Sequence, residues 1–276
     1  MKQGLHRGMK MEEYLAVDAV SHSDLKNMKR SPAKCLAERG FVTPSTDAMV
    51  LGSAIHTAVL EPERFDDVVG VLPGDFNGRT KAGKALKEQM EGQYPIVLKK
   101  EDANRALAIR DSVWRNSDAR VLLDAKGSIE STILVQDPVT GVMTRSRPDK
   151  WCWAERIIVD LKKTVKTSVS AFLRQAYDLG YFSQIAFYKA TARWLAEAGL
   201  VAIEPPTMGV LLAVVDSRPY ENALIPVPTD VLMKETEKWR ALLDLYATCV
   251  EENRWPGWPT VVSPDFPGWI KKEYNL

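Results

Sequence analysis

One short segment constrains the fold of this chain more than any other. The segment RSRPDKWCWAERIIVDLKKT, residues 145–164, contains the apolar run RIIVDL, which is typical of a buried strand. Asp160 and Lys162 end this run and project from the same side of the strand, because strand side chains alternate between faces. Charged groups at the end of a buried strand are costly unless something pairs with them. A fold that buries this strand must therefore supply their partner.

Asp149 offers a reason for these charges. It ends the strand that precedes RIIVDL, so it lies beside Asp160 if the two strands pair. Adjacent carboxylates repel each other unless a cation lies between them, and Mg²⁺ or Mn²⁺ is the cation that suits such an oxygen site. Lys162 would then orient or deprotonate a water, or offset charge in a transition state. The alternative is a solvated ion pair between Asp160 and Lys162.

The pattern along the chain predicts helices, three strands, helices, two strands and a final helix. Residues 24–39 look helical with a break at Ser31-Pro32, and Thr46 or Asp47 caps the next helix. A β-hairpin is predicted from ESTILVQ and VMTRSRPDKW around the turn DPVTG. This order favours an α/β or α+β fold with a central mixed sheet flanked by helices. The remaining predicted segments are RTKAGKALKEQMEG, KEDANRALAIRDSVWRN, residues 168–199 and TDVLMKETEKWRALLDLYATCVEENRW as helices, with RIIVDLKKT, MGVLLAVVD and ENALIPV as strands.

The length of 276 residues is read as one domain, with a core over about 18–250. The tail 251–276 is rich in Pro and Trp and is predicted to be irregular. We expect Trp255, Trp258 and Trp269 to pack on the body of the protein or on another subunit.

Composition excludes several classes of protein. The 37 basic and 36 acidic residues nearly balance, so net charge favours no partner. Cys35, Cys152 and Cys249 form no C-x-x-C pair, which argues against a disulfide framework, a zinc knuckle and an iron–sulfur cluster. The chain has no P-loop, so no nucleotide cofactor is expected. Without a signal peptide or an apolar span, a cytoplasmic protein that does not enter the membrane is expected.

Four elements in chain order resemble a known nuclease superfamily. Pro148-Asp149 followed by Asp160-Leu161-Lys162 resembles the PD-(D/E)XK signature. Gly52-x-x-x-His56 and Gln184-x-x-x-Tyr188 each place two residues on one helix face. With phrases such as SHSDLKNMKRSPAKCLAE, RTKAGKAL and GYFSQIAFYKA, residues 18–195 resemble RecB-like, lambda exonuclease-like enzymes, and most closely the RecE-type exonucleases of phages and prophages. The resemblance implies a restriction-endonuclease-like core.

The resemblance also implies roles for individual residues. His56, Asp149, Asp160 and the carbonyl of Leu161 correspond to the metal ligands, with Mg²⁺ or Mn²⁺ and two ions per site. Lys162 corresponds to the active-site lysine, and Glu130 is a further candidate for orienting the site. Gln184 and Tyr188 correspond to residues that support the site and contact DNA. The alternatives are a satisfied helix histidine for His56, ordinary amphipathic helix positions for Gln184 and Tyr188, and core packing for Tyr188.

Several residues are candidates for binding DNA. Ser23 resembles a serine that holds the terminal 5′-phosphate, or it caps a helix that begins at Asp24. Arg79, Lys81 and Lys84 could grip phosphates, or they form a solvated helix start. Arg145 and Arg147 belong to a basic cluster of eight residues between Met143 and Arg174, at positions 145, 147, 150, 156, 162, 163, 166 and 174.

The function implied by the resemblance is a Mg²⁺-dependent exonuclease that degrades one strand of duplex DNA from its 5′ end. It would leave a 3′ single strand for an annealing protein of the RecT or Bet type. A ring of three or four subunits around DNA is expected to give processivity. The alternatives are a PD-(D/E)XK endonuclease and a non-catalytic DNA-binding accessory of recombination.

Overall fold

A computed structural model describes residues 2–39, 45–259 and 265–275. The long helices and strands follow one another in the order that the sequence predicts, and several short elements that were not predicted lie between them. The helices are α1 Met11–Ala16, α2 His22–Arg30, α3 Pro32–Glu38, α4 Asp47–Leu60, α5 Phe65–Val68, α6 Lys81–Glu91, α7 Lys100–Arg115, α8 Ser117–Asp124, α9 Val169–Leu179, α10 Tyr181–Glu197, α11 Thr229–Glu251 and α12 Gly268–Tyr274. The strands are β1 Gly4–His6, β2 Val69–Leu72, β3 Ile96–Lys99, β4 Gly127–Ile129, β5 Thr132–Gln136, β6 Met143–Ser146, β7 Lys150–Cys152, β8 Ile157–Thr164, β9 Met208–Val215 and β10 Asn222–Pro226.

Side-chain caps fix where the first long helices begin. The Ser21 hydroxyl accepts a hydrogen bond from the Asp24 backbone N–H, and the Asp24 carboxylate accepts one from the Ser21 N–H. The cap of α2 is therefore Ser21, and the prediction that Ser23 caps a helix starting at Asp24 is wrong. The predicted break at Ser31-Pro32 is confirmed, because Ser31 caps α3 and Pro32 is its first residue. Thr46 caps α4 as predicted.

The central sheet has five strands in the order β10-β9-β8-β7-β4. Strands β8 and β9 are parallel, with Asp160 opposite Leu211, whereas the other neighbours are antiparallel. The sheet is therefore mixed and flanked by helices, which confirms the predicted fold class. The apolar run of the opening segment becomes β8, a central strand.

The predicted hairpin forms, but its second strand divides between two sheets. Strand β6 pairs with β5, and β5 also pairs with β1, in a separate three-stranded sheet. Strand β7 instead joins β8. The residues between β6 and β7 include Pro148, which cannot donate a ladder hydrogen bond. This division brings Asp149 to the edge of β8.

Apolar side chains cover both faces of the central sheet. On one face, Val159 and Leu161 of β8 pack in a core with residues of α4 and α7. On the other face, Ile158 of β8 packs in a core with residues of α10 and α11. Helices α4 and α10 therefore lie on opposite sides of β8, and each directs one face towards it.

The sequence pattern missed the short strands β1, β2, β3 and β4, which are three or four residues long. Strands this short show no alternation that distinguishes them from loops. Strands β2 and β3 form a parallel pair, and α6 contacts both of them. Among the described residues, no helix is both long enough and apolar enough to cross a lipid bilayer.

The tail is only partly irregular, because residues 268–274 form α12. Trp255 packs edge-on against Tyr246 with ring centroids 5.3 Å apart, as expected for packing on the body. Trp258 and Trp269 are 85% and 69% exposed, so neither packs on the body of this chain. Their contact with another subunit stays a prediction, and residues 260–264 lie outside the described residues.

Candidate metal centre

The candidate site forms at the edge of β8 where its pairing with β7 ends. Strand β7 pairs with β8 only as far as Lys150 opposite Val159, so the next residue, Asp149, comes opposite Asp160. The two carboxylates are thus neighbours, as the sequence predicts. The Leu161 N–H donates a 2.6 Å hydrogen bond to Asp149 Oδ2 in place of the missing strand. Because the N–H and C=O of one strand residue point to the same edge, the Leu161 carbonyl faces this site too.

Three potential metal ligands meet at this edge. His56 Nδ1, from α4, lies 3.6 Å from Asp149 Oδ1 and 3.9 Å from Glu130 Oε1. One ligand atom from each of the three residues lies within 4.8 Å of the others. Glu130 sits between β4 and β5 with a left-handed φ of 42°, and its N–H donates to the Asp149 carbonyl. This conformation is uncommon for a residue other than glycine and turns the chain at the site.

The donor set fits a divalent cation. The two carboxylates are ligands that suit Mg²⁺ and Mn²⁺, whereas the imidazole nitrogen is a ligand more typical of transition metals than of Mg²⁺. Asp160, 1% exposed, adds a buried Oδ2 atom that lacks a hydrogen bond of good geometry, although Lys162 Nζ lies 2.6 Å away. Asp160 is not in the group of three, whereas Glu130, predicted only to orient the site, is a member of it. The residues that would hold the ion are His56, Glu130 and Asp149, with the Leu161 carbonyl and Asp160 beside them.

Burial shifts the protonation of these groups. It raises the pKa of Asp149 and of Asp160 to about 6, although Lys162 partly offsets the shift in both. It lowers the pKa of His56, and Lys162 lowers it further, so the imidazole is neutral near pH 7 and keeps a lone pair for a metal. Burial and the charge of Asp149 raise the pKa of Glu130.

Lys162 is held between an anion and an aromatic ring. Its Nζ lies 2.6 Å from Asp160 Oδ2 and 4.8 Å from the centre of the Tyr181 ring. Burial lowers its pKa, but the charges of Asp160 and Asp149 outweigh burial and leave the pKa raised. Lys162 is therefore a fixed cation. Sequence reasoning missed Tyr181, which precedes Gln184 by three residues and Tyr188 by seven and so shares their helix face.

Helix α10 brings its predicted residues to the same place. Gln184 Nε2 donates a 2.7 Å hydrogen bond to the Tyr188 hydroxyl. Burial raises the pKa of Tyr188 well above its usual value, and the charge of Asp160 adds to the rise. Tyr188 is thus both a buried residue of the core and a neighbour of the carboxylates.

The predicted DNA contacts separate into exposed and internal residues. Ser23, Arg79, Lys81 and Lys84 are all exposed. Arg145 is buried, and its Nη1 donates to the carbonyls of Tyr14, Leu15 and Val17, so its guanidinium is not available to a phosphate. Arg145 therefore serves the fold, and we do not propose it as a DNA contact.

Arg147 is partly buried and donates to Thr132 Oγ1 and to the Met9 carbonyl. Three further members of the basic cluster are also engaged inside the fold: Lys150 with the Leu123 carbonyl, Arg156 with the Pro205 carbonyl and Lys163 with Asp216. The local excess of positive charge around the carboxylates is thus largely internal.

Residues 21–259 match the model of a family described as a PDDEXK-like domain of unknown function, DUF3799. The chain belongs to this family. The matched range of this PDDEXK-like chain contains every residue of the candidate metal centre. No curated protein matches it.

A solved structure resembles the PDDEXK-like chain over nearly its whole length. It is a protein from Eubacterium rectale named "Putative exonuclease", with a TM-score of 0.61 and 13% sequence identity. The alignment covers 96% of this chain and 97% of that one. At this level of identity the likeness shows the fold, and membership of the PDDEXK-like family supports a nuclease.

Proposed function

We propose that this protein is a Mg²⁺-dependent exonuclease that degrades one strand of duplex DNA from its 5′ end. The observation that carries the proposal is the meeting of His56, Glu130 and Asp149 within 4.8 Å, at the free edge of the strand that bears Asp160 and Lys162. A nitrogen and several carboxylate oxygens beside a fixed ammonium suit the hydrolysis of a phosphodiester. A divalent cation bound there would supply a water of lowered pKa and would neutralise charge on a phosphoryl oxygen.

The side chains of the chain have distinct tasks in this proposal. Lys162 is cationic and has no lone pair to accept a proton, so it acts by offsetting the charge that develops on the phosphate. Asp160 and Tyr181 hold its ammonium in place. Gln184 and Tyr188 form a hydrogen-bonded pair on α10, in which the buried Tyr188 supports the site and the half-buried Gln184 can contact the DNA.

The direction of degradation and the partners extend the proposal further. The RecE-type sequence resemblance supports attack from a 5′ end and a 3′ single-stranded product. The name of the structural neighbour supports an exonuclease rather than an endonuclease. From the RecE-type sequence resemblance we also propose a ring of three or four subunits, and a RecT- or Bet-type annealing protein that receives the single strand.

The test uses linear duplex DNA labelled at one 5′ or one 3′ end, and a closed circle of the same sequence. With Mg²⁺, early release of the 5′ label and an intact circle would support the proposal, and EDTA should stop the reaction. Cutting of the circle would indicate an endonuclease. Absence of metal-dependent cutting would leave a DNA-binding role. The Asp160→Asn variant, which keeps the size of the side chain, serves as the inactive control.

A further inference from the structure

Two members of the basic cluster differ from the other six. Arg145, Arg147, Lys150, Arg156, Lys162 and Lys163 all have partners inside the fold. Lys166 and Arg174 are exposed, and within residues 2–39, 45–259 and 265–275 their side chains make no ion pair or hydrogen bond. Two cations that the fold itself does not use are therefore presented to solvent.

Both cations line one concavity along α9, which we call the α9 groove. Its volume is about 670 Å³, and polar groups of Ser170 and Gln175 line it with them. Asp178 adds one carboxylate, so two positive charges face one negative charge. Hydroxyl, amide and cationic side chains are the groups that proteins use to contact phosphates.

The α9 groove lies beyond the C-terminal end of β8, the strand that bears Asp160 and Lys162. Asp160, Lys162 and Thr164 lie on the same face of β8, because strand side chains alternate. The Thr164 hydroxyl donates a 2.6 Å hydrogen bond to Gln175 Oε1 at the groove, and it accepts one from the Lys166 N–H. Lys166 follows Lys162 by four residues, which is at most about 13 Å of extended chain. One strand of DNA advances roughly 3.4 Å per nucleotide along the helix axis, so the groove lies within a few nucleotides of the reacting bond.

We propose that the α9 groove binds the sugar–phosphate backbone of the DNA substrate, through Lys166 and Arg174, next to the phosphodiester that is cut. This inference rests on the proposed function, and it adds where the substrate runs beyond the metal centre. Because the contacts are to phosphates away from the reacting bond, they contribute affinity without sequence preference and leave the chemical step unchanged.

The experiment compares wild type with K166Q/R174Q and with the control K234Q/R254Q, which removes two other exposed basic residues. Binding of a fluorescent duplex is measured in EDTA, where it is not cut, over a range of salt concentrations. We expect K166Q/R174Q to bind roughly tenfold more weakly, and its slope of log K against log salt to be shallower by about 1.8, or about 0.9 per lost contact. The control pair should keep the wild-type slope. Thermal unfolding confirms that each variant is folded.

The groove proposal would be overturned if K166Q/R174Q kept the wild-type slope of log K against log salt. It would also be overturned if the control pair lost as much duplex affinity and slope as K166Q/R174Q. Absence of duplex binding by wild type would overturn it as well. In cleavage assays with Mg²⁺, the groove variant should show a raised KM and an unchanged kcat. If wild type cuts no DNA, the proposed function fails, but the salt slope still decides whether the groove binds a nucleic-acid backbone. If wild type cleaves DNA as proposed but K166Q/R174Q keeps the wild-type salt slope, the groove proposal fails and the proposed function stands.

Discussion

Asp149 Oδ2 accepts a 2.6 Å hydrogen bond from the backbone N–H of Leu161. A side chain thus replaces the strand that would otherwise pair with β8 beyond Val159. The same bond fixes the carboxylate so that its other oxygen, Oδ1, lies 3.6 Å from His56 Nδ1. One contact therefore closes a sheet edge and orients a candidate metal ligand, so Asp149 serves both the fold and the candidate site.

Two variants separate these tasks. Asp149→Asn keeps an oxygen that can accept from Leu161 but loses a negative charge that is unfavourable in this buried position, so near pH 7 we expect stability at or above that of the wild type and activity reduced by at least about a hundredfold. Asp149→Ala also leaves the buried N–H without a partner, which should cost about 1–3 kcal/mol of unfolding free energy. Urea unfolding and label release measure the two effects. Equal stability of the two variants would show that the bond does not support the edge.

Glu130→Gln tests whether Glu130 is a metal ligand or only a neighbour. The carboxylate is 44% exposed and lies on the surface side of the centre, so its loss should leave the fold stable. We expect Mg²⁺ or Mn²⁺ affinity, measured by calorimetry, to fall by more than about 100-fold, because a loss of roughly 10- to 100-fold is typical when a residue that only orients a ligand is removed. A loss of about 100-fold or less would return Glu130 to the orienting role that the sequence suggested.

The sequence was sufficient to predict the framework, and it named most of the residues that meet in the candidate site. Long apolar strands such as β8 and β9, and capped helices such as α4, carry their pattern within single segments. The spacing of Asp149 and Asp160 was informative because antiparallel pairing of consecutive strands brings them together. These features are local, so periodicity and turn chemistry can show them.

Other features depend on tertiary context that no local pattern carries. A cluster of arginines and lysines predicts a surface patch. Arg145 is buried instead, because its guanidinium donates hydrogen bonds to three backbone carbonyls. Glu130 becomes a potential ligand because its left-handed backbone turns it towards His56, and a glutamate is not the residue type that predicts such a turn. Tyr181 did have a signal, its spacing from Gln184 and Tyr188, but a single aromatic at helical spacing is more often core.

Tyr181 should act through Lys162. Tyr181→Phe keeps the ring beneath the ammonium, so we expect a kcat within about twofold of wild type, whereas Tyr181→Leu should lower kcat roughly tenfold with little change in KM. Steady-state cleavage separates the two constants. The ammonium signal of Lys162 in a nitrogen-correlated NMR spectrum gives a readout that needs no activity, and it should broaden only in the leucine variant. Equal effects of Phe and Leu would point to the hydroxyl instead.

Arg145 should contribute stability and no DNA affinity. In Arg145→Met, three carbonyls lose their donor and Asp24 loses a cation 3.7 Å away, so we expect a loss on the order of 3–5 kcal/mol in unfolding free energy. The slope of duplex binding against salt should stay at the wild-type value under conditions where the variant is folded. A shallower slope would restore Arg145 as a phosphate contact.

The two raised carboxyl pKa values give the metal-free protein a defined pH dependence. Asp149 and Asp160 titrate near pH 6 in the folded state, against an ordinary value of 3.8. Between these values the folded state binds more protons than the unfolded state, so stability falls as pH rises from about 4 to about 6 and gains nothing from these groups above that. Ionised carboxylates are the form that a divalent cation binds, so protons and metal compete for them.

Saturating Mg²⁺ should therefore raise the melting temperature little near pH 5 and clearly more near pH 8, where both carboxyl groups are ionised without metal and repel each other. Scanning calorimetry with Mg²⁺ and with EDTA at the two pH values measures the difference. In the double variant Asp149→Asn/Asp160→Asn the two groups cannot ionise, so both the fall in stability across pH 4 to 6 and most of the Mg²⁺ effect should disappear. An equal Mg²⁺ shift at the two pH values in wild type would mean that the ion binds elsewhere, because binding at this centre must compete with these protons.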